Sequence, residues 1–373
     1  MTLAKSLCCP NILRIDPPYR SPKEFCKDAD DQVWLDTNEL QYSYQGFSVD
    51  SSNYHLYPEF QNHQLREAYA DYAGVEADQV LTVRGADEGI ELMIRAFCAP
   101  NEDKIVDIPP TYAMYRLTAA LFAIDVISIA RTDCFDVDVE KLKLHGNGKL
   151  IFICSPNNPT GNILGRSDLI DLLEHFKERS IIVVDEAYIE FCPKSTCIDL
   201  IDKYPNLAVI RTLSKAFGLA ALRCGFLISS SEIVDIVRRV MAPYPLAEPV
   251  AQIAIQALGA PSRKRMEASV ARITSTARNF VDAVARFECI KNAIPIKGNF
   301  VLVEFRDENV DVEMISRQRI NIRKLIPGHG INKLHRRISI GTEAQMDRLL
   351  KVIEKLDSKY LATSMSFAEA DRL

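Results

Sequence analysis

Residues 207–229 read LAVIRTLSKAFGLAALRCGFLIS: two apolar runs with a lysine and an arginine between them. The runs, 207–212 and 224–229, have the length and β-branched content of buried strands. The first run leads directly into Ser214 and Lys215, and small residues then lead on to Arg223. The stretch therefore predicts a buried sheet that delivers two cationic side chains into one neighbourhood at the end of a strand.

Similar apolar runs recur from about residue 80, separated by segments of helical period. These further runs are 79–83, 104–108, 126–130, 149–154 and 180–185. Near-continuous apolar strands are typical of a mostly parallel sheet that is buried on both faces, with helices between the strands. An apolar stripe through Ile90, Met93, Ile94 and Phe97 indicates one of these helices. The pattern predicts an α/β fold whose large domain has a mostly parallel seven-stranded sheet flanked by helices.

The pattern changes after the proline-rich segment 242–249, which we take as a domain boundary. A long helical stretch, weaker strands and a closing amphipathic helix follow; these are 250–287, then 299–305, 320–324 and 336–341, and finally 346–356. We predict a smaller α+β domain formed by both ends of the chain. The predicted units are an N-terminal arm and part of the small domain (1–45), a large cofactor-binding domain (46–246) and a C-terminal small domain (247–373).

The composition excludes several classes of function. The 373 residues carry 45 basic and 50 acidic side chains, a net charge of −5, which gives no sign of a nucleic-acid-binding surface. No apolar run is long enough to cross a bilayer, and the first residues do not resemble a signal peptide. The ten cysteines lack CxxC spacing, so we predict reduced thiols, a cytoplasmic protein and no metal site.

In open α/β sheets, ligands bind beyond the carboxyl ends of the strands, so the residues that follow each strand are the candidates for a site. These are RGADEG (84–89), Tyr112 in PPTYAMY, Asn158 in SPNNPTG, Asp185 and Tyr188 in DEAY, and the Lys215 stretch.

Each of these candidates also has a purely structural interpretation. Asp185 could cap a helix, 155–161 could be a turn, and 84–89 could merely open a helix. The two tyrosines could be ordinary residues at the edge of the hydrophobic core. Lys215 could be a solvent-exposed helix residue, and Arg223 could form an ion pair with a surface carboxylate.

One ligand, pyridoxal 5′-phosphate, explains the whole set. Its aldehyde requires an amine, which Lys215 offers, and its protonated ring nitrogen requires a buried carboxylate, which Asp185 offers. Its ring oxygen requires hydrogen-bond donors, for which Asn158 and Tyr188 are placed. The ring of Tyr112 would stack on the cofactor.

The cofactor's phosphate requires a helix N-terminus and an arginine. The backbone amides of Ala86 and Asp87 would supply the first. Arg223, with the hydroxyl groups of Thr212 and Ser214, would supply the second. Because carboxylates oppose a phosphate, we expect both acidic side chains at this helix start to point away from the ligand.

Six segments together closely resemble the histidinol-phosphate aminotransferases, which are class-II pyridoxal-phosphate-dependent aminotransferases of fold type I. They are 84–97, 109–115, 154–161, 185–193, 211–226 and 242–246. The resemblance runs from about Trp34 to Gly341. It implies Lys215, Asp185 and Tyr188 as catalytic residues and the cofactor contacts named above.

The resemblance also implies residues that spacing alone does not single out. Tyr57 matches a tyrosine that reaches across a homodimer interface to the partner's cofactor phosphate. Tyr19 and Asn38 match positions on the substrate side. Arg323 and Arg337 match two arginines that bind the substrate's anion, together with Asn158. Arg336 lies next to Arg337, and strand alternation sends the two side chains to opposite faces. We therefore expect Arg337 to enter the site and Arg336 to be solvated.

The implied reaction transfers the amino group of L-histidinol phosphate to 2-oxoglutarate, in L-histidine biosynthesis. A broader aromatic amino-acid aminotransferase is the main alternative, since pockets discriminate weakly between similar groups. A lyase resembling threonine-phosphate decarboxylase is a further alternative. A DNA-binding regulator with an aminotransferase-like domain is disfavoured by the few residues before Trp34, and a Rossmann-type nucleotide binder by the missing GxGxxG.

Overall fold

The computed structural model describes residues 2–15, 32–42, 46–295, 297–306 and 318–370. Two β-sheets with helices packed against them form the framework of this part of the chain. Within these ranges, no helix has both the length and the apolar character that crossing a membrane requires.

The strands of the described chain form a seven-stranded and a five-stranded sheet. In chain order they are β1 (Val33–Leu35), β2 (Val80–Val83), β3 (Lys104–Asp107), β4 (Asp125–Ser128), β5 (Leu150–Cys154), β6 (Ile181–Asp185), β7 (Leu207–Thr212), β8 (Gly225–Ser229), β9 (Ile290–Pro295), β10 (Phe300–Phe305), β11 (Ile320–Lys324) and β12 (His335–Ser339). The larger sheet has the order β2-β8-β7-β6-β5-β3-β4. Only the two pairings that include β8 are antiparallel in it. The predicted mostly parallel seven-stranded sheet is thus confirmed.

Helices cover both faces of the larger sheet. The α-helices of the described chain are α1 (Leu3–Leu7), α2 (Pro10–Leu13), α3 (His63–Ala73), α4 (Ala86–Phe97), α5 (Met114–Leu121), α6 (Val139–His145), α7 (Arg166–Phe176), α8 (Ser231–Arg238), α9 (Glu248–Leu258), α10 (Ala260–Val284) and α11 (Glu343–Ala370). Apolar side chains of α4, α5 and α8 pack on one face of the sheet, and those of α3, α6, α7 and α9 pack on the other. Apart from the edge strand β4, whose residues are exposed or half-buried, the strands are therefore buried on both sides, which explains their continuous apolar runs.

The smaller sheet has the order β1-β11-β12-β10-β9 and joins the two ends of the chain. β1 pairs in parallel with β11, so that Val33 lies opposite Ile320. Helices α10 and α11 cover one face, where Phe280 and Leu349 pack with Ile338 of the central strand β12. The predicted limits of the domains, at 45–46 and 246–247, stay predictions.

Two local expectations were wrong. The predicted helix over 250–287 is two helices, because the backbone at Gly259 is extended (φ −67°, ψ 151°) and a new helix begins at Ala260, with Pro261 in its first turn. Proline is well suited to a first helical turn but cannot continue a helix through its own position. Strand β9 was not predicted, because its sequence IKNAIP lacks regular alternation.

The carboxyl ends of β5, β6 and β7 lie side by side. Cys154 is the register partner of Asp185, and Asp185 that of Ile210. The residues that follow these strands therefore emerge at one edge of the sheet, below the face of the smaller sheet that carries Phe300 and Leu302.

Candidate active site

Asp185 is the last residue of β6 and is 2% exposed. The hydroxyl of Tyr115 donates a hydrogen bond to its Oδ2 at 2.7 Å, and the backbone N–H of Ala187 donates to its Oδ1 at 3.0 Å. Burial raises the pKa of the Asp185 carboxyl to about 6, and these two hydrogen bonds oppose that rise. The carboxylate is thus held by neutral donors in a dry environment.

Lys215 follows β7 by three residues. Its Nζ lies 3.4 Å from both the carbonyl oxygen of Thr37 and that of Asn38, near the end of β1. Burial, and then the positive charge of Arg337, lower the pKa of the Lys215 amine to about 8. The amine therefore loses its proton closer to neutral pH than an ordinary lysine does, and the uncharged form is the nucleophile.

Asn38 connects the two sheets at this point. Its side-chain amide donates to the hydroxyl of Tyr188 at 2.9 Å, and its Oδ1 accepts from the hydroxyl of Ser339 at 3.0 Å. Its carbonyl oxygen accepts from the amide of Asn299 at 2.8 Å. Asn38 has a positive φ of 55°, a conformation that asparagine tolerates better than most residues. Asn38 therefore contacts both Tyr188, through its side chain, and Lys215, through its carbonyl oxygen.

Ala86 and Asp87 are the first residues of α4, and Gly85 before them has a φ of 81°. A Cβ atom on Gly85 would lie 2.6 Å from Nη2 of Arg223, so the guanidinium covers the start of the helix closely. The same guanidinium donates through Nη1 to the hydroxyl oxygen of Ser214 at 3.3 Å. The hydroxyl of Thr212 donates to that oxygen at 2.9 Å. Backbone amides, two hydroxyls and an arginine thus meet at one helix N-terminus.

The expected orientation of Asp87 was wrong. Its Oδ1 accepts from the hydroxyl of Tyr112 at 2.8 Å, and its Oδ2 lies 3.5 Å from Nη2 of Arg223, so the carboxylate faces the site. The charge of Arg223 and the phenol offset the cost of a carboxylate there. The side chain of Glu88 does point away, to Arg84.

Arg337 enters the site from β12. Its Nη1 donates to Oδ1 of Asn158 at 2.8 Å, and its Nη2 donates to the carbonyl of Asp36. Its Nε is buried and has no hydrogen-bond partner among the described residues. Arg323 lies directly opposite Arg337 in the antiparallel pairing of β11 with β12, so both project from the same face. Burial, and also the charge of Arg323, lower the pKa of Arg337.

The expectation that Arg336 is solvated was wrong, since it is 5% exposed. Its alternation with Arg337 is as expected, but the opposite face of β12 is covered by helices α10 and α11 rather than by water. Its Nη1 donates to the carbonyl oxygens of Lys333 and His335.

Two of the implied residues lie away from this cluster or outside the described chain. Tyr57 is 81% exposed, and its ring stacks on that of Tyr244 with the ring centres 4.6 Å apart. Tyr19 lies outside the described residues.

Sequence reasoning missed three residues that shape the site. Tyr115 bonds to Asp185, and Ser339 and Asn299 hold Asn38. Tyr115 lies three residues after Tyr112 in the same motif, PPTYAMY. That spacing was the one available signal.

The sequence model of the family "Aminotransferase class I and II" matches residues 26–353. The histidinol-phosphate aminotransferase of Aeromonas hydrophila subsp. hydrophila is 41% identical over 348 residues, which cover 93% of this chain and 97% of the relative. The crystal structure of histidinol-phosphate aminotransferase from Sinorhizobium meliloti in complex with pyridoxal 5′-phosphate matches with a TM-score of 0.83, at 20% identity, over 95% of this chain and 98% of that one.

A second solved structure, the histidinol-phosphate aminotransferase from Clostridium acetobutylicum, matches with a TM-score of 0.80 and 24% identity. It covers 88% of this chain and 99% of that one. At these identities the structures show the fold, and the closer sequence relatives show the family. The chain belongs to the class I and II aminotransferases and, within them, to the histidinol-phosphate aminotransferase family.

Proposed function

We propose that this enzyme uses pyridoxal 5′-phosphate to transfer the amino group of L-histidinol phosphate to 2-oxoglutarate, giving imidazole acetol phosphate and glutamate in the cytoplasm. The observation that carries the proposal is the pairing of a buried carboxylate, Asp185, with a half-buried amine of lowered pKa, Lys215, at adjacent strand ends. The family to which the chain belongs supplies the reaction class and the histidine-pathway substrate.

The residues present fit the cofactor. Asp185 is a buried carboxylate with oxygen lone pairs beyond those used by its two donors, which suits a protonated ring nitrogen. The start of α4 under Arg223 offers backbone amides and a guanidinium, which suit a dianionic phosphate. The ring of Tyr112 would stack on the cofactor ring, with Asn158 and Tyr188 at the ring oxygen.

When bound, the cofactor withdraws electrons from the substrate carbon that carries the amino group. Lys215 Nζ would remove the proton from that carbon and deliver it to the exocyclic carbon of the cofactor, and in the second half of the transfer it would move a proton in the opposite direction. The lowered pKa of Lys215 suits both directions, because a general acid–base group works best with a pKa near the working pH. Asp185 remains ionised opposite the ring nitrogen throughout.

Arg323 and Arg337 supply the anion site for the substrates. Like charges on directly opposite strand residues are destabilising, so a bound anion would relieve their repulsion. The forked donors of arginine match the geometry of both phosphate and carboxylate, which suits an enzyme with one phosphorylated and one dicarboxylic substrate. Asn38 and Tyr19 complete the proposed substrate side.

We propose a two-fold symmetric homodimer in which Tyr57 reaches the cofactor phosphate of the partner. The strong exposure of Tyr57, beside the exposed Leu56, supports this, since such apolar side chains on a surface mark contact regions. A two-fold interface places the same patch on both subunits.

The test is the visible absorbance of the cofactor-loaded enzyme after L-histidinol phosphate is added without a keto acid. Conversion to the amine form at far lower concentrations of histidinol phosphate than of phenylalanine supports the proposal. Equal conversion by phenylalanine would make the chain a general aromatic aminotransferase. Release of carbon dioxide from threonine phosphate would place it with the lyases, and no absorbance change with any donor would refute the reaction class.

A further inference from the structure

Tyr115 lies entirely inside the protein, behind the carboxylate of Asp185. It is the second residue of α5, and its ring stacks on that of Phe152 with centres 5.0 Å apart and planes 13° apart. The ring of Tyr112 meets it edge-on, with centres 5.8 Å apart. Aromatic contacts on two sides fix the position of the ring and therefore of its hydroxyl group.

The hydroxyl has a defined direction of donation. It lies 2.7 Å from Oδ2 of Asp185, a short distance typical of a hydrogen bond to a charged oxygen. Burial raises the pKa of the Tyr115 phenol well above its usual 10, so the phenol keeps its proton and acts as the donor. The carboxylate oxygen is the acceptor.

We propose that Tyr115 is a positioning residue that keeps Asp185 ionised and oriented toward the cofactor's ring nitrogen. The inference rests on the proposed function. It assigns to the fully buried second tyrosine of PPTYAMY a part in the chemistry, although Tyr115 itself does not touch substrate or cofactor.

The donors of Asp185 counteract the effect of burial on its carboxylate. A buried carboxylate without donors becomes protonated, and a protonated Asp185 cannot stabilise a positive charge on the ring nitrogen. Two neutral donors, Tyr115 and the amide of Ala187, hold it ionised. The amide is fixed by the backbone, so the phenol is the donor that a side-chain substitution can remove. Loss of the phenol hydroxyl should weaken the binding of a protonated ring nitrogen by Asp185 and leave the binding of the cofactor phosphate unchanged.

The same donors also determine the direction in which the Asp185 carboxylate points. The donors occupy one site on each carboxylate oxygen, and each oxygen keeps a further lone pair. With Phe at position 115, Oδ2 would lose its anchor and the carboxylate could rotate about its bond to Cβ. Tyr115 thus fixes which lone pairs face the crevice.

The experiment compares the dissociation constants of two ligands for the apoenzyme: pyridoxal 5′-phosphate and its analogue with CH in place of the ring nitrogen. The ratio of the two constants isolates the contact at the ring nitrogen. The proteins are the wild type, Tyr115→Phe, Asp185→Asn and the double variant. Tyr204→Phe is the control, because it removes a buried hydroxyl that has no hydrogen-bond partner among the described residues.

We expect the wild type and Tyr204→Phe to prefer the natural cofactor, and Tyr115→Phe to lose about tenfold of that preference, as for a hydrogen bond to a charged group. In the Asp185→Asn background, Tyr115→Phe should change the ratio less than about twofold, because coupled residues are not additive. Equal losses in both backgrounds, or an unchanged ratio in Tyr115→Phe, would overturn the inference. A wild-type protein that binds neither ligand would overturn the proposed function itself.

If Tyr115→Phe does not fold, a second variant can test the same role of the hydroxyl. A fluorotyrosine at position 115 retains the shape of the side chain and donates a stronger hydrogen bond. The preference for the ring nitrogen should then rise. An unchanged preference in a folded fluorotyrosine protein would contradict the role of the hydroxyl.

Discussion

The amine of Lys215 lies at the point where the two sheets meet, within 3.4 Å of two backbone carbonyls. Lys215→Ala should abolish multiple turnovers, because it removes the amine that is proposed to accept the substrate proton. The measurement is glutamate formation from histidinol phosphate and 2-oxoglutarate. Lys177→Ala, at an exposed lysine, should retain full activity. Appreciable turnover by the Lys215→Ala enzyme would contradict the assignment.

The lowered pKa of Lys215 also predicts how stability depends on pH. Below about pH 8 the amine is protonated in both the folded and the unfolded apoenzyme, so the folded state bears the cost of a buried charge. Between about 8 and its usual 10.5 the folded state has lost the proton that the unfolded state still holds, so stability rises with pH. The uncharged variant Lys215→Met should therefore be more stable than the wild type at pH 7.5.

This difference should be about 1–3 kcal/mol at pH 7.5 and should disappear as the pH approaches 10.5. Urea unfolding of both apoenzymes at several pH values measures it. Lys177→Met, at an exposed lysine, provides the comparison. Curves for wild type and Lys215→Met that stay parallel over this range would show that burial does not depress the pKa of the amine.

At the scale of the elements, β12 places its two arginines on different faces with different surroundings. Arg337 shares a face with Ser339 and the site, and Arg336 shares the helix-covered face with Ile338. The binding of anionic substrates should therefore depend on Arg337 rather than on Arg336.

Arg337→Gln should lower kcat/KM for L-histidinol phosphate by about tenfold to a hundredfold, the range for losing a hydrogen bond to a charged group. Activity with unphosphorylated L-histidinol should fall much less, because that substrate brings no phosphate. Arg278→Gln, at an exposed position of α10, should behave as the wild type. Equal losses with both substrates would show that Arg337 only supports the fold.

The N-terminus of α4 offers a second test at this scale. Gly85 and Gly74 both have positive φ angles, but only a Cβ on Gly85 would collide with Arg223, whereas a Cβ on Gly74 would meet no described atom within 4 Å. Alanine at Gly74, which is in the left-handed helical conformation, should cost roughly 1–2 kcal/mol of stability. Alanine at Gly85, where ψ is 172°, should cost about 1–3 kcal/mol. Gly85→Ala alone should weaken the binding of pyridoxal 5′-phosphate relative to pyridoxal, because the displaced guanidinium no longer covers the phosphate site. A matching loss of this preference in Gly74→Ala would mean that backbone strain, not Arg223, is responsible.

The sequence was most informative where burial is complete. The strands of the larger sheet were predicted to within a residue or two, since side chains buried on both faces leave a continuous apolar run. Strand β9 has no such run and was missed. For Arg336, alternation predicts that the side chain faces away from Arg337 but not what lies on that side. Tyr115 was missed because a buried phenol bonded to a carboxylate and one packed only in the core have the same sequence pattern.

At the scale of the whole molecule, the candidate site needs both sheets. Asn38 follows a strand of the smaller sheet, Ser339 ends another, and Tyr188 follows β6 of the larger sheet. The hydrogen bonds of Asn38 therefore fix the geometry between the sheets as well as the position of Tyr188. This arrangement brings residues that are about 300 positions apart in sequence into one contact, which local patterns cannot reveal.

The proposed homodimer adds a second chain to the site and can be tested by complementation. A mixed dimer of Tyr57→Ala and Lys215→Ala subunits, purified through two different tags, has one site with both defects and one site with neither if Tyr57 acts across the interface. At limiting pyridoxal 5′-phosphate, its activity should be about half that of the wild type, and above that of either variant homodimer. If Tyr57 instead serves its own subunit, every site in the mixed dimer carries a defect. Its activity should then be at most half that of the Tyr57→Ala homodimer, and the shared site would be excluded.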